Sequence, residues 1–199
     1  MEDKLKLLQK GLKNKKAPYI YLTNNKLYAT TGGDLGVYKV EDSSDKMWDI
    51  NTLEEVLCNF EFPKLEYVEP MINLCKDEFE VDRKELINVL KRIKECIKDN
   101  KEYIDDKDIC YIEITKNDEL MFKIPTKSDI KYFGINLPRK HILYQEFRDI
   151  YLWDNIYKYA KLCKGKTIKV KYNSNTKGSP LIFEDGKIYK YVTMPCVWK

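Results

Sequence analysis

The chain has 199 residues, of which 43% are hydrophobic and 34% are charged, and its formal net charge is +4. This composition is that of a soluble globular protein, and the net charge is too small to indicate a nucleic-acid partner by itself. No apolar run approaches the roughly 20 residues that a membrane helix needs. Residues 1–16 lack the apolar stretch of a signal peptide, so we expect a cytoplasmic protein without membrane contact.

The N-terminal region predicts a helix followed by three short strands. Leu5, Leu8 and Leu12 recur at helical spacing within residues 3–13. Three strand-like segments follow, separated by an Asn-Asn turn and a Gly-Gly-Asp turn: 19–23, 26–31 and 35–40.

The next segment predicts one more short helix and then a connector. Thr52 followed by Glu55 forms a capping-box pattern, which favours a helix over about 52–59. Residues 62–78 carry two prolines and are the candidate domain boundary.

The second half begins with the clearest helix of the chain. A short strand, 79–81, leads to Asp82, a good N-cap for a helix over 83–98. Leu86, Leu90 and Ile93 belong to its single apolar stripe, and the other faces are basic.

Strands and a third helix complete the chain. We expect a hairpin from 109–115 and 119–124, further strand-like segments from residue 131, a helix over about 152–164, and a strand over 167–172. The closing hairpin turns at Glu184-Asp185-Gly186, and Pro195 marks the point where strand pairing stops.

Cysteine and histidine usage indicates neither a metal site nor a nucleophile. The six cysteines are spread along the chain without a CxxC pair, so we expect free thiols in a reducing compartment. The single histidine, His141, has no cysteine or serine motif beside it. The acidic pairs Asp105-Asp106 and Glu54-Glu55 lack the strand-end placement of a two-metal nuclease site. We therefore expect no enzyme, no cofactor and no metal.

The three helices start about 70–80 residues apart, and each is amphipathic, basic on its outer faces and followed by strands, which indicates an internal repeat. FEVDRKELINVLKRIKECI, ICYIEITKNDELMFKI, IYLWDNIYKYAKLCKGKTIKVKYN and SPLIFEDGKIYKYVTMP, in that order from residue 79, resemble one domain of a DNA sliding clamp. The closer resemblance is to the bacterial β subunit of DNA polymerase III. FEFPKL at 60–65 resembles the Phe-Pro connector of that family, and KLYATTGGDLGVYKV at 26–40 resembles the strands of a further half-domain.

The resemblance implies an α+β fold of clamp-like repeats, each a short amphipathic helix packed on antiparallel sheets. Residues 1–62 would form a reduced N-terminal clamp-like domain, and 79–199 a clamp-like domain of two helix-plus-strands halves.

The function that this implies is a DNA polymerase processivity factor that encircles duplex DNA and tethers replication proteins. Its partners would be double-stranded DNA bound without sequence preference, a DNA polymerase and a clamp loader, with a homo-oligomeric ring of three or four copies. The helices would contact phosphates through Lys4, Lys6, Lys10, Lys13, Arg83, Lys84, Lys91, Arg92, Lys94, Lys98, Lys158, Lys161 and Lys164. A partner peptide would bind a pocket that Val192, Met194 and Pro195 line.

The chain also departs from the family pattern. It is about half as long as a three-domain bacterial clamp, and the usual Met-Pro-Met-Arg ending is replaced by Met194-Pro195-Cys196-Val197. A viral or mobile-element origin would fit the reduced size. Two other functions remain open at this point: a monomeric clamp mimic that inhibits or regulates a host replication protein, and a nuclease that uses the acidic pairs with Mg²⁺.

Overall fold

The computed structural model describes residues 1–12, 18–31, 33–57, 68–102, 109–114, 119–137, 144–149, 152–176 and 179–193. Within these ranges the helices are α1 (Glu2–Leu12), α2 (Glu69–Asn73), α3 (Arg83–Asp99) and α4 (Leu152–Leu162). The strands are β1 (Tyr19–Thr23), β2 (Lys26–Thr30), β3 (Asp34–Lys39), β4 (Lys46–Asp49), β5 (Glu55–Val56), β6 (Asp77–Asp82), β7 (Ile109–Ile114), β8 (Glu119–Pro125), β9 (Ile130–Asn136), β10 (Tyr144–Asp149), β11 (Thr167–Tyr172), β12 (Leu181–Glu184) and β13 (Lys190–Thr193). The α+β fold is confirmed. None of the helices in the described ranges is both long and apolar enough to cross a membrane.

The strands form two antiparallel sheets. The larger sheet has nine strands in the order β5-β4-β1-β2-β3-β13-β12-β11-β6, and the smaller has four in the order β10-β7-β8-β9. The second half of the chain contains the same unit twice, a strand, a helix and three strands: first β6-α3-β7-β8-β9, then β10-α4-β11-β12-β13. Each unit gives its first strand to the other unit's sheet, because β10 pairs with β7 and β6 pairs with β11. Each of these two units therefore contains one helix and contributes strands to both sheets.

The first half of the chain is a partial copy of this unit. It has one helix and three strands, α1 and β1 to β3, and β4 pairs with β1 as β10 pairs with β7. It joins the second half where β3 pairs with β13, with Leu35 opposite Val192 and Val37 opposite Lys190. We call this pairing the junction. The sequence divides the chain at the connector, but one continuous sheet extends across both predicted regions.

The main hydrophobic core lies between the helices and the sheets. The predicted apolar stripes are buried, with Leu8 of α1, Leu90 of α3 and Ile156 of α4 each 0% exposed. Buried tyrosines fill the space beneath α4, where the Tyr159 hydroxyl donates a hydrogen bond of 2.8 Å to the backbone oxygen of Phe183. The packing of large aromatic side chains in this layer fixes the position of α4 over the junction strands.

Local sequence signals explain several element boundaries. The Asp82 carboxylate accepts a hydrogen bond of 2.9 Å from the backbone N–H of Glu85, which confirms the predicted N-cap of α3. Asn24 and Asn25 both have positive φ, as a two-residue hairpin turn requires. In the closing hairpin, Gly186 has φ of 75° and the Asp185 carboxylate accepts hydrogen bonds from backbone N–H groups of the turn.

The helix predicted over 52–59 is wrong for residues 52–57, and Cys58 and Asn59 lie outside the described residues. The segment instead contains the end of a turn that follows β4, and then strand β5. The Asp49 carboxylate accepts hydrogen bonds from the backbone N–H groups of Asn51 (2.6 Å) and Thr52 (3.1 Å), and Leu53 adopts a φ of 61° that no α-helix contains. A side chain that bonds nearby backbone competes with helix formation, and here it stabilises the turn.

The connector also holds a helix that the sequence did not predict. Helix α2 begins at Glu69, has a proline in its first turn and has no side-chain N-cap, so it carries few of the usual start signals. Strand β6 begins at Asp77, two residues before the predicted start.

Candidate functional site: a groove and a basic helix face on opposite sides of one sheet

Strand β3 separates two surfaces because neighbouring residues in a strand point to opposite faces of the sheet. A Cβ added to Gly36 would meet Leu8, Leu12 and Tyr189, so this side of the strand faces α1 and the main core. Leu35 belongs instead to a second, smaller hydrophobic cluster with Val192, Tyr28 and Ile182. Helix α1 and the main core therefore lie on one face of the nine-stranded sheet, and this second cluster lies on the opposite face.

A groove of about 230 Å³ opens on the second face, along the junction. Leu35 and Val37 of β3 and Val192 of β13 form its apolar floor. Val68 and Ile72, at the start of α2 and within it, form the facing wall and also pack against the second cluster. Grooves for small ligands and peptides are generally apolar with few polar groups, and this one matches that description.

Lysines surround the apolar floor. Lys26 forms an ion pair with Glu69 of α2, which ties the wall of the groove to β2. Lys190 pairs with Glu184 at 2.9 Å, and the same carboxylate also accepts Lys171 at 3.1 Å. Burial would raise the pKa of Glu184, but its hydrogen bonds to the two lysines outweigh this effect and lower it. Lys39 lies at the rim and forms no ion pair with a carboxylate of the described ranges.

Of the three predicted pocket residues, Val192 lines this groove. Met194 and Pro195 lie outside the described residues. Sequence reasoning missed β3 and α2 as contributors. The signal was present in the alternation Leu35, Val37, Lys39 and in the spacing of Val68 and Ile72, but nothing local links these segments to β13.

The opposite face carries the predicted DNA-binding residues of α1, α3 and α4. Six of the predicted lysines are exposed and form no ion pair within the part of the chain that the structure describes: Lys10, Lys84, Lys94, Lys98, Lys161 and Lys164. Lys10 of α1 and Lys158 of α4 line the same shallow depression, so these two helices bring their cations together.

A tyrosine lies between two of the predicted cations. The Lys94 ammonium of α3 is 5.9 Å from the ring centre of Tyr157, and the Lys161 ammonium of α4 is 5.4 Å from it. Such contacts hold lysine side chains in place while their charges remain exposed. Helices α3 and α4 thus present a joint cationic surface.

Other predicted DNA contacts are engaged within the protein. Lys6, Lys91 and Lys158 each form an ion pair with an acidic residue one helical turn away. Ion pairs between exposed side chains are weak, so these lysines can readily exchange their partners. The Lys4 ammonium lies 5.6 Å from the ring centre of Tyr38, and the Arg92 guanidinium carbon lies 5.5 Å from the ring centre of Phe133.

Arg83 has a different role from the exposed cations. Its Nη1 donates to the backbone oxygen of Ala160 at 3.5 Å and its Nε is buried, so its side chain links α3 to α4. Lys13, at the end of the first predicted helix, lies outside the described residues.

A buried carboxylate connects the helix layer to the junction. Asp34, at the start of β3, is 6% exposed and accepts a 2.7 Å hydrogen bond from the Asn155 amide of α4. Burial raises the pKa of Asp34, although hydrogen bonds from Tyr191, Asn155, Thr193 and Thr31 act in the opposite direction. A carboxylate so placed holds α4, β3 and β13 together, and its charge is costly to keep.

The described residues contain no group of three or more His, Cys, Asp or Glu side chains that could hold a metal ion. Cys75, Cys96 and Cys163 are free thiols, as predicted, and burial raises the pKa of Cys75 to about 11 and that of Cys163 to about 12. These two thiols are therefore unreactive near neutral pH. Asp105, Asp106 and His141 lie outside the described residues.

No family model matches the sequence, and no curated protein matches it. Solved structures do match the fold. The chain superimposes on the DNA polymerase III β subunit of Borrelia burgdorferi with a TM-score of 0.72 and 12% identity, covering 100% of this chain and 63% of that one. The β subunit of Thermotoga maritima gives a TM-score of 0.64 and 17% identity, covering 98% of this chain and 63% of that one. The Helicobacter pylori β clamp bound to a DNA ligase peptide gives a TM-score of 0.66 and 11% identity, covering 98% of this chain and 62% of that one.

These similarities show that the chain has the fold of bacterial β sliding clamps, which confirms the resemblance in the sequence at the level of the fold. The chain spans less than two thirds of the length of each of these clamps.

Proposed function

We propose that this chain, which has the sliding-clamp fold, is a reduced DNA sliding clamp: a non-enzymatic processivity factor whose copies encircle duplex DNA and tether replication proteins. One observation carries the proposal. The junction strands separate a cationic helix face from an apolar groove on the other side of the same sheet. A tether needs these two surfaces to be usable at the same time.

The helix face suits a duplex bound without sequence preference. Binding of this kind depends on Lys and Arg near phosphates, and it requires no fixed contacts with base edges. Lys84 and Lys98 lie at opposite ends of α3, so their charges extend along the helix. Lys94 and Lys161, on either side of Tyr157, extend the same positive surface across to α4.

The groove suits an apolar peptide segment of a replication protein, such as a DNA polymerase or a clamp loader. It has a floor of Leu35, Val37 and Val192 and is open to solvent on the face of the sheet opposite α1. The similar clamp from H. pylori was solved with a DNA ligase peptide. Peptide capture on the outer face would leave the helix face available for DNA.

A ring requires contacts between copies, and strand β9 offers an edge. Within the described residues β9 pairs only with β8, and two large apolar residues on it are exposed, Ile130 at 40% and Tyr132 at 57%. Unprotected edge strands readily pair with another chain. A ring of three or four copies would remove these edges.

The proposal is tested by the topology of DNA binding. The protein is incubated with a nicked circular plasmid, half of the sample is linearised with a restriction enzyme, and both halves are passed through a large-pore size-exclusion column. A clamp remains on the circle and slides off the linear DNA at moderate salt. Light scattering over a concentration series gives the mass in parallel, and we expect three or four copies.

Equal retention on both DNA forms would indicate ordinary electrostatic binding and would contradict encirclement. A strict monomer that binds neither form would refute the ring and favour the clamp mimic. DNA cleavage that a chelator abolishes would favour the nuclease.

A further inference from the structure

The lysines that line the groove outnumber the carboxylates that pair with them. Its lining residues include three lysines, Lys26, Lys39 and Lys190, and one acid, Glu69. Glu69 is already paired with Lys26, and Glu184, just outside the groove, is paired with Lys190. Among the described residues, Lys39 is therefore the lysine at the rim of the groove that has no ion-pair partner.

Lys39 lies two residues from Val37 on the same strand. The alternation of β3 puts Leu35, Val37 and Lys39 on one face, with Lys39 exposed at the end of the apolar floor. Residues two apart in a strand are separated by about 6.6 Å. An extended peptide with its apolar anchor over Val37 would place its second residue from the anchor beside Lys39.

We infer that the groove selects peptides that carry a carboxylate two residues from their apolar anchor, with Lys39 as the residue that determines this specificity. The inference rests on the proposed function of the groove as a peptide site and adds the chemistry of the partner. An anion is favoured because it meets a cation without displacing an existing ion pair. A basic residue at the same position would meet Lys39 with a like charge, which disfavours binding.

The expected effect is moderate because Lys39 is exposed. Exposed ion pairs contribute a preference of about 2- to 5-fold, and salt screens them. The preference for acidic peptides should therefore decrease between about 50 mM and about 500 mM salt, as the Debye length shortens. The contribution of the apolar anchor should persist.

Three matched synthetic peptides test the inference, with end-blocked sequences Asp-Ser-Leu-Phe-Ser-Asp, Asn-Ser-Leu-Phe-Ser-Asn and Lys-Ser-Leu-Phe-Ser-Lys. Each places its variable residue, Asp, Asn or Lys, two residues from an apolar anchor in either orientation. Their affinities for the full chain are measured by NMR titration. We expect the order Asp, Asn, Lys from tightest to weakest.

Variants assign the preference to Lys39. In Lys39→Gln the Asp and Asn peptides should bind equally, while Lys169→Gln should retain the preference. Lys169 is the matched control, because it is a lysine of the same sheet that pairs with Glu78 and does not line the groove. Loss of the preference in both variants would show a general charge effect and would overturn the role of Lys39.

The outcomes separate the inference from the proposed function. If the three peptides bind equally, and Val37→Thr weakens all of them, the groove is a peptide site but the charge selectivity is wrong. If none binds, the groove is not a site for these peptides and both are overturned. If peptides bind only to a chain that ends at Thr193, the occupant is residues 194–199 of the chain itself, which also overturns the inference.

Discussion

The substitution Gly36→Ala tests the close contact of α1 with the junction. The added Cβ would overlap Leu12 Cδ1 and would lie 2.8 Å from Leu8 Cδ2 and 3.0 Å from Tyr189 Cδ2. These side chains are almost fully buried, so they have little room to move. We expect the variant to fold with a lower free energy of unfolding.

The magnitude follows from two opposing effects. Overpacking of a buried site costs about 1–3 kcal/mol. Removing a glycine from the interior of a strand returns about 0.5–1 kcal/mol. The net loss should be about 0.5–2 kcal/mol, which for a chain of this size corresponds to a decrease in Tm of about 1–8 °C.

Urea denaturation followed by circular dichroism measures the change, with Gly33→Ala as the control. No atom lies within 4 Å of a Cβ added at Gly33, so that variant should unfold at the wild-type urea midpoint or slightly above it. The double variant Gly36→Ala, Leu12→Ala provides the decisive measurement. The added methyl group would enter the cavity left by Leu12, so the double variant should be more stable than the sum of the two single effects by about 1 kcal/mol or more. Additive effects would refute the proposed contact between α1 and β3.

Three further predictions concern the buried tyrosines, the buried acid and the basic face. Tyr159→Phe removes the hydrogen bond to the Phe183 backbone oxygen, so urea denaturation should show a loss of about 1–3 kcal/mol; an unchanged midpoint would contradict this. Because burial raises the pKa of Asp34, folding favours its protonated form, and its contribution to stability is largest at acidic pH and decreases as pH rises through the raised pKa. Asp34→Asn should therefore flatten the dependence of the urea midpoint on pH above the usual pKa of an aspartate, and an identical profile would show that Asp34 does not titrate there. Lys98→Gln should weaken DNA binding equally for different sequences and reduce the salt slope by about 1, whereas Lys169→Gln, away from the basic helix face, should leave the slope unchanged.

Much of the local structure could be predicted because the signals lie within a few residues of the elements that they determine. The apolar stripe of α3 and its Asp82 cap set the start of that helix, and the paired asparagines set the first hairpin turn. The turn after Asp49 was mistaken for a helix because Thr52 and Glu55 match a capping box. The competing interaction, a carboxylate that bonds two backbone N–H groups, uses equally common residues and leaves no distinctive pattern.

The candidate site was predictable only in part, because it is assembled from distant segments. Val192 could be assigned through the resemblance of the closing hairpin, but its neighbour Leu35 is more than 150 residues earlier in the chain. Periodicity shows which side chains share a face of one strand, and it does not show which strand pairs with which. The same limit applies to Arg83, whose helical position predicts an exposed cation but whose guanidinium bonds to α4.

The alternation of β3 also makes the two proposed tasks depend on one strand register. Gly36 and Tyr38 face the helix layer, while Val37 and Lys39 face the groove. A slip of one residue against β13 would exchange these faces, so that α1 would lose its contact and the groove its floor. The Asp34 carboxylate, bonded to Asn155 of α4, ties β3 to the helix layer and opposes such a slip. Substitutions at the junction should therefore impair DNA binding and peptide binding together. Substitutions of exposed lysines on α3 should impair DNA binding alone. Substitutions of Ile72 on α2 should impair peptide binding alone. If junction variants impaired only one activity, the two surfaces would not depend on the same strand register.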